Sequence, residues 1–307
     1  MKNDGLRYGL VAILVVILVG LIGVLVMSTR NSSWFGFGGS TEIVKEQEFD
    51  LTDISRLTLN FVAGDVEIKY SDNDKLKVIQ YSNQSRKNNL FDSKQSGKSL
   101  EIVEYERTQW FSFGFDFSKF EIYLPASYDG DMVIKTVSGS IDVYDYYQWN
   151  TAEVKSTSGK IHFYDEIVSD QMNFKSVSGD IISSQLQTKN IELKTTSGKI
   201  EVEAVVGDVN ASSVSGRIVM NQVVGKLNAS TTSGKIEINQ FTILNDSSLK
   251  SVSGKIKVHF SSDVNCRMEA SSVSGNIEYP YNGTVLGTDP YYKLNVKTTS
   301  GKIELTQ

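Results

Sequence analysis

A Ser-Gly pair returns nine times along the second half of this chain, and any fold proposed for it has to accommodate that rhythm. The glycines are Gly139, Gly159, Gly179, Gly198, Gly216, Gly234, Gly254, Gly275 and Gly301, at spacings of 20, 20, 19, 18, 18, 20, 21 and 26 residues. Aligned on the glycine, four other columns are invariant in kind. Ile stands two residues after it, from Ile141 to Ile303. Ser or Thr stands three before it, Val or Thr two before it, and an apolar residue five before it. Apolar positions alternate on both sides of the pair, which is the signature of a strand with one buried face. Gly tolerates backbone angles that other residues resist, so the Ser-Gly pair reads as a corner between two strands. Looser returns such as Val206-Gly207 and Val224-Gly225 lead to the next unit.

One such unit cannot bury its own face, but stacked units can, by laying equivalent residues over one another. The reading is therefore all-β: a single-stranded β-solenoid of about nine to ten coils of 18–21 residues. Its inward Ile residues would form one ladder. Its Ser/Thr column would form a second, buried ladder that must satisfy itself or bond the corner backbone. A propeller with two units per blade is the competing architecture, but the columns repeat every unit rather than every second unit, apart from the Val/Thr choice.

The N-terminus adds a second feature. Residues 10–27 are apolar without a charge, 18 residues in all, long enough to cross a hydrocarbon core of about 30 Å as one transmembrane helix. Lys2 and Arg7 precede the segment and only Arg30 follows closely, which places the N-terminus in the cytoplasm and the rest outside. A cleaved signal peptide is the alternative, but no small-residue cleavage pattern follows the apolar core. The expected organisation is a cytoplasmic stub and anchor over residues 1–30, a Ser/Gly-rich tether over 31–45, a degenerate first coil and cap region over 46–130, and the repeats over 131–307. Within the third segment, Leu57, Leu59, Gly64, Val66 and Ile68 match the repeat offsets, strands are expected at 76–81 and 100–105, and 82–98 reads as a hairpin loop. Phe111, Phe113, Phe115 and Phe117 alternate with small or polar residues. That aromatic face either caps the open end of the stack or contacts a partner or the membrane.

Catalytic chemistry is hard to find. There are two histidines, His162 and His259, without a metal-spaced neighbour, and a serine that precedes glycine nine times is no singular nucleophile. Cys266 is the only cysteine, which excludes an internal disulfide and makes a small buried side chain the expectation. No cofactor, metal site or enzymatic activity is expected. A net charge of −5 gives no reason to expect nucleic acid.

One pattern exceeds what folding requires. Lys135, Lys155, Lys175, Lys194, Lys250 and Lys297 stand four residues before a corner glycine, and Lys160, Lys199, Arg217, Lys235, Lys255 and Lys302 stand one after it. Stacking would gather these 12 of the 31 basic residues along one edge. They form either a solvated face, balanced by Glu201, Glu237, Glu278 and Glu304, or a site for an anionic polymer such as a cell-wall polymer or phospholipid headgroups.

The repeated T/S-x-S-G-x-I units behind a short anchor resemble a bacterial family of adhesin-like proteins with β-strand repeats, which includes the G protein of the Lia cell-envelope stress operon. The resemblance covers residues 45–307. It implies a β-helix-like fold, a single-pass protein of the cell membrane with an extracytoplasmic domain, and a non-enzymatic scaffold or binding role. A partner in a cell-wall polymer or an envelope protein follows, or else an accessory or sensor part in envelope stress. It brings no catalytic residues.

Overall fold

The computed structural model describes residues 42–82, 90–104, 118–280, 283–289 and 291–307. The expected membrane span, residues 31–41 of the tether, and Phe111, Phe113, Phe115 and Phe117 lie outside the described residues. No helix among those described is long and apolar enough to cross a membrane. All regular structure among the described residues is β-strand, joined in one sheet that winds as a stack of coils.

Successive coils pair in parallel with each residue on its repeat equivalent. Val154 pairs with Phe174 and Ile161 with Ile181; Leu193 pairs with Ala211 and Ile200 with Ile218. The register follows from the period of two, because a slip by one residue would turn every inward side chain to solvent. From Ile141 to Ile256 and again at Ile303, the residue two after the glycine is fully buried.

The corner has a different cause from the one its sequence suggests. No corner glycine has a positive φ. What Gly provides there is the missing Cβ. At Gly159 a Cβ would sit 1.8 Å from the Gly139 carbonyl oxygen, and at Gly216 it would sit 1.7 Å from that of Gly198. Ten glycines stack in this way, beginning at Gly64 in the degenerate first coil. The return glycine Gly207 does need its backbone freedom, with φ of 137°.

The buried hydroxyls bond the corner backbone. Ser156 Oγ accepts from Gly159 N at 2.8 Å, Ser176 Oγ from Gly179 N at 2.9 Å, and Ser251 Oγ from Gly254 N at 2.7 Å. Thr195 and Thr231 accept likewise at 3.0 Å and also donate to the carbonyls of Gly179 and Gly216 in the coil before, at 3.4 Å.

Both ends depart from chain order. At the N-terminal end the outermost layer is formed by Ser99–Glu104 and Ser118–Leu124, which lie beneath Arg56–Asn60 and Asp65–Tyr70. Lys75–Ser82 and then Glu42–Asp50 extend this layer as antiparallel strands. Glu42–Asp50 thus includes four residues read as tether. The expected loop at 82–98 also contains a strand, Phe91–Ser96, which folds back on Ser99–Glu104 through Gly97 at φ 57°. Phe120 packs on Phe61 with ring centroids 4.2 Å apart, closing the core at this end.

Glu104 chemically completes that end. Elsewhere the corner amides donate to the carbonyls of the coil beneath, as Ser158 N does to Val137 O. In the degenerate first coil the amides of Val62 and Ala63 instead both donate to Glu104 Oε2, at 2.7 and 3.1 Å.

At the other end the coil of Gly301 is threaded between those of Gly254 and Gly275. Ile303 pairs with Ile256 on one side and with Ile277 on the other; Val296 pairs with Leu249 and with Ala270. Cys266–Ser272 is therefore the outermost strand although more chain follows it. Thr284 and the strand Val285–Leu286 cover its first three residues. Further along, Ala270 N donates to the Tyr279 hydroxyl at 3.3 Å, and beyond the strand Val273 is 83% exposed, against 48% for Val252 in the same column.

Candidate functional site

The twelve basic residues form two separate columns, one on each side of the corner. The column before the corner lies in exact strand register: Lys135 on Lys155, Lys155 on Lys175, and Lys175 on Lys194. Two serines follow, Ser212 and Ser230, and then Lys250 and Lys297. The column after the corner holds Lys160, Lys199, Arg217, Lys235, Lys255 and Lys302. Its members from Lys199 to Lys302 occupy five consecutive layers, as the Ile amide-to-carbonyl ladder shows.

The two columns differ in how they are neutralised. After the corner, carboxylates of the neighbouring outward column, on the same or the adjacent coil, answer the lysines; Lys160 reaches Asp142 at 3.9 Å, and Arg217 has no carboxylate within ion-pairing distance among the described residues. Lys199 pairs with Glu201, Lys235 with Glu237 at 2.5 Å, and Lys255 and Lys302 with Glu304 at 2.6 and 2.7 Å. Lys302 also reaches Glu278 at 2.8 Å. Hydrogen bonds from Lys255 and Lys302 hold the Glu304 carboxyl down at about 2. This column reads as an ion-pair ladder on a solvated face.

Before the corner the acids run out. Glu153 serves both Lys155, at 2.7 Å, and Lys135, at 3.8 Å, while Glu192 serves Lys175 at 2.7 Å. Among the described residues, Lys194, Lys250 and Lys297 have no carboxylate within ion-pairing distance. The positions beside the last two are Ser248 and Asn295, not Glu. A groove runs along the first four lysines, bounded by the exposed corner residues Val137, Thr157, Val177 and Thr196. A second depression lies where the column changes to serine, lined by Asn210, Ser212, Asn228 and Ser230 and bounded by Glu192 and Lys250. Nothing in the spacing of the lysines revealed this second depression; the signal was the two coils in which Ser replaces Lys.

Other candidate groups have structural roles. His162 lies half-buried against the Tyr164 ring, with Lys160 Nζ 3.3 Å from its Nδ1; burial and then Lys160 lower its pKa. His259 is exposed and meets Thr306 Oγ1 at 3.0 Å. Cys266 is fully buried, and burial pushes its thiol up to about 12, so it packs as a small apolar side chain. Among the described residues no cluster of three or more His, Cys, Asp or Glu could hold a metal ion.

The family model described as Toastrack DUF4097 matches residues 54–306. Two solved structures share the fold. A "putative adhesin" of Parabacteroides merdae is 11% identical, with a TM-score of 0.54, over 86% of this chain and 96% of that one. A "putative adhesin" of Parabacteroides distasonis is 12% identical, with a TM-score of 0.52, over 87% and 98%. No curated protein sequence matches the chain.

Proposed function

This chain belongs to the Toastrack DUF4097 family, and on that premise we propose that it is a non-enzymatic, adhesin-like binding module of the cell envelope. The apolar segment at residues 10–27 holds it at the membrane, with the stack outside and a linear anionic polymer as its ligand. The observation that carries this reading is the unequal neutralisation of the two basic columns. Lysines stacked directly on one another across strands repel. After the corner, carboxylates relieve that cost. Before it, Lys135, Lys155 and Lys175 share Glu153 and Glu192, Lys194, Lys250 and Lys297 have no acid partner among the described residues, and an external anion supplies the remaining charge.

The test is charge reversal. Lys135, Lys155, Lys175 and Lys194 are changed together to Glu in the full chain, and the salt needed to strip envelope polymer from the purified protein is measured. Release at lower salt supports the reading, because contacts to a polyanion weaken steeply with ionic strength. Retention that is unchanged and insensitive to salt rejects it.

A second reading takes its support from the resemblance of the anchor-plus-repeat sequence layout to that of the G protein of the Lia operon: an accessory or sensor protein of an envelope-stress system that signals through its anchor. Exchanging residues 10–27 for an unrelated apolar span separates the two. A retained phenotype leaves the outer domain acting alone, and a lost one favours signalling.

A further inference from the structure

Within the face before the corner, we infer that the depression between Lys194 and Lys250 is the primary ligand subsite and that it takes a polyol phosphodiester chain. This deepens the polymer-binding reading and rests on it.

The lysine column is broken once, and the break is built consistently. Over two consecutive layers the outward residues are Ser212 and Ser230, with Asn210 and Asn228 beside them where Glu153 and Glu192 stand earlier. Asn228 Nδ2 donates to Asn210 Oδ1 at 3.0 Å, which fixes the amide pair and leaves each amide with further capacity. Short side chains leave a hollow of ≈ 300 Å³. Glu192, paired to Lys175 at 2.7 Å, lines one side. Lys194 stands beside Ser212 in strand register, Lys250 lines the other side, and Lys297 stands one layer further. These are the three lysines of the column without a carboxylate partner among the described residues. Lys194 and Lys250 stand three strand spacings apart, roughly 14 Å.

With Glu192 neutralised by Lys175, the net charge at each end comes from a lysine without a carboxylate partner among the described residues, and the floor between carries hydroxyl and amide groups. The site's complement is a ligand with anionic groups separated by hydroxyl-bearing carbons. A polyol phosphate chain has that character. A dense polyanion does not, since its central charges would lie over Ser212 and Ser230 without a cation. Phosphate is also the anion that a lysine ammonium meets well as a point charge.

Binding of a synthetic glycerol-phosphate oligomer to the full chain in detergent micelles tests the assignment, with Ser212→Lys/Ser230→Lys as the deciding variant. That variant adds two positive charges and fills the hollow. Simple attraction to a polyanion predicts tighter binding; the subsite predicts about tenfold weaker binding, the scale of a lost set of hydrogen bonds. Lys250→Gln/Lys297→Gln should weaken binding to a similar degree. Tighter or unchanged binding by the Ser-to-Lys variant overturns the subsite and leaves the wider lysine face standing. No binding by wild type at any salt overturns both. Capture by phosphatidylglycerol vesicles without capture of the soluble oligomer overturns the polymer assignment.

Discussion

Gly216 lies so close above Gly198 that a Cβ on Gly216 would stand 1.7 Å from the Gly198 carbonyl oxygen. The obstacle is backbone, which cannot swing aside as a side-chain tip can. Gly216→Ala should therefore cost more than about 3 kcal/mol, beyond ordinary overpacking. Gly283→Ala is the contrast. It has open space around it and only a positive φ to accommodate, and should cost about 1 kcal/mol. Urea unfolding of the full chain in detergent measures both.

The hydroxyl ladder can be tested at Ser176, whose Oγ accepts from Gly179 N in a buried corner. Ser176→Ala leaves that amide unpaired, at about 1–3 kcal/mol. Ser176→Thr should be tolerated, because Thr195 and Thr231 make the same bond. Equal losses in the two variants, read from the same unfolding curves, would contradict the hydrogen-bond explanation.

Much of this was legible in the chain, and the exceptions have physical reasons. The period of two and the invariant Ile predicted the stack, its register and the buried hydroxyls. In the sequence the corner glycine points to a backbone-angle requirement, because a single strand-corner-strand unit does not reveal the carbonyl that the next layer brings against it. Layer order was also concealed at the C-terminal end, although a trace was present. From Ser176 outward the corner pairs alternate Ser-Val and Thr-Thr, as in Ser213-Val214, Thr231-Thr232, Ser251-Val252, Thr298-Thr299 and Ser272-Val273. That alternation is unbroken only when Thr298 is placed between Ser251 and Ser272, which is where the structure has it. The lysines were read as one edge because both positions flank the corner; the ion pairs divide them. The acids that neutralise one column are visible in the sequence, but the shortage of acids beside the other emerges only once partners across layers are known.

Glu104 offers a third prediction. Its carboxylate accepts from both Val62 N and Ala63 N and is largely buried. Glu104→Ala should cost about 1–3 kcal/mol, two part-buried amides losing their acceptor. Glu104→Gln keeps an oxygen there and should cost less than half as much. Amide hydrogen exchange at Val62 and Ala63 should accelerate in the first variant and change little in the second.

Acid should loosen the ion-pair ladder in a defined window. Glu304 is held down to about 2 by hydrogen bonds from Lys255 and Lys302, and Glu153 and Glu237 are lowered by those from Lys155 and Lys235. A carboxyl depressed in the folded state contributes stability that is fully present above its ordinary value of 4.5 and is lost as the pH falls through about 2. The urea midpoint of the wild-type chain should fall across that interval. In Glu304→Gln it should start lower and fall less. Parallel curves for the two proteins would remove Glu304 from the explanation.

The threading of Gly301 between Gly254 and Gly275 also has a consequence in time. A ribosome delivers residues 266–278 before 294–306, yet the earlier segment has no parallel neighbour until the later one has been made. Layers from Asp131 to Phe260 can be added as they emerge, each on a finished surface. The outermost layer has to wait, and then closes over a segment synthesised after it. A chain interrupted between the two segments would keep a full set of earlier layers and leave the edge at Ser247–Phe260 unpaired, which marks the product as incomplete to any protease that reads free β-edges.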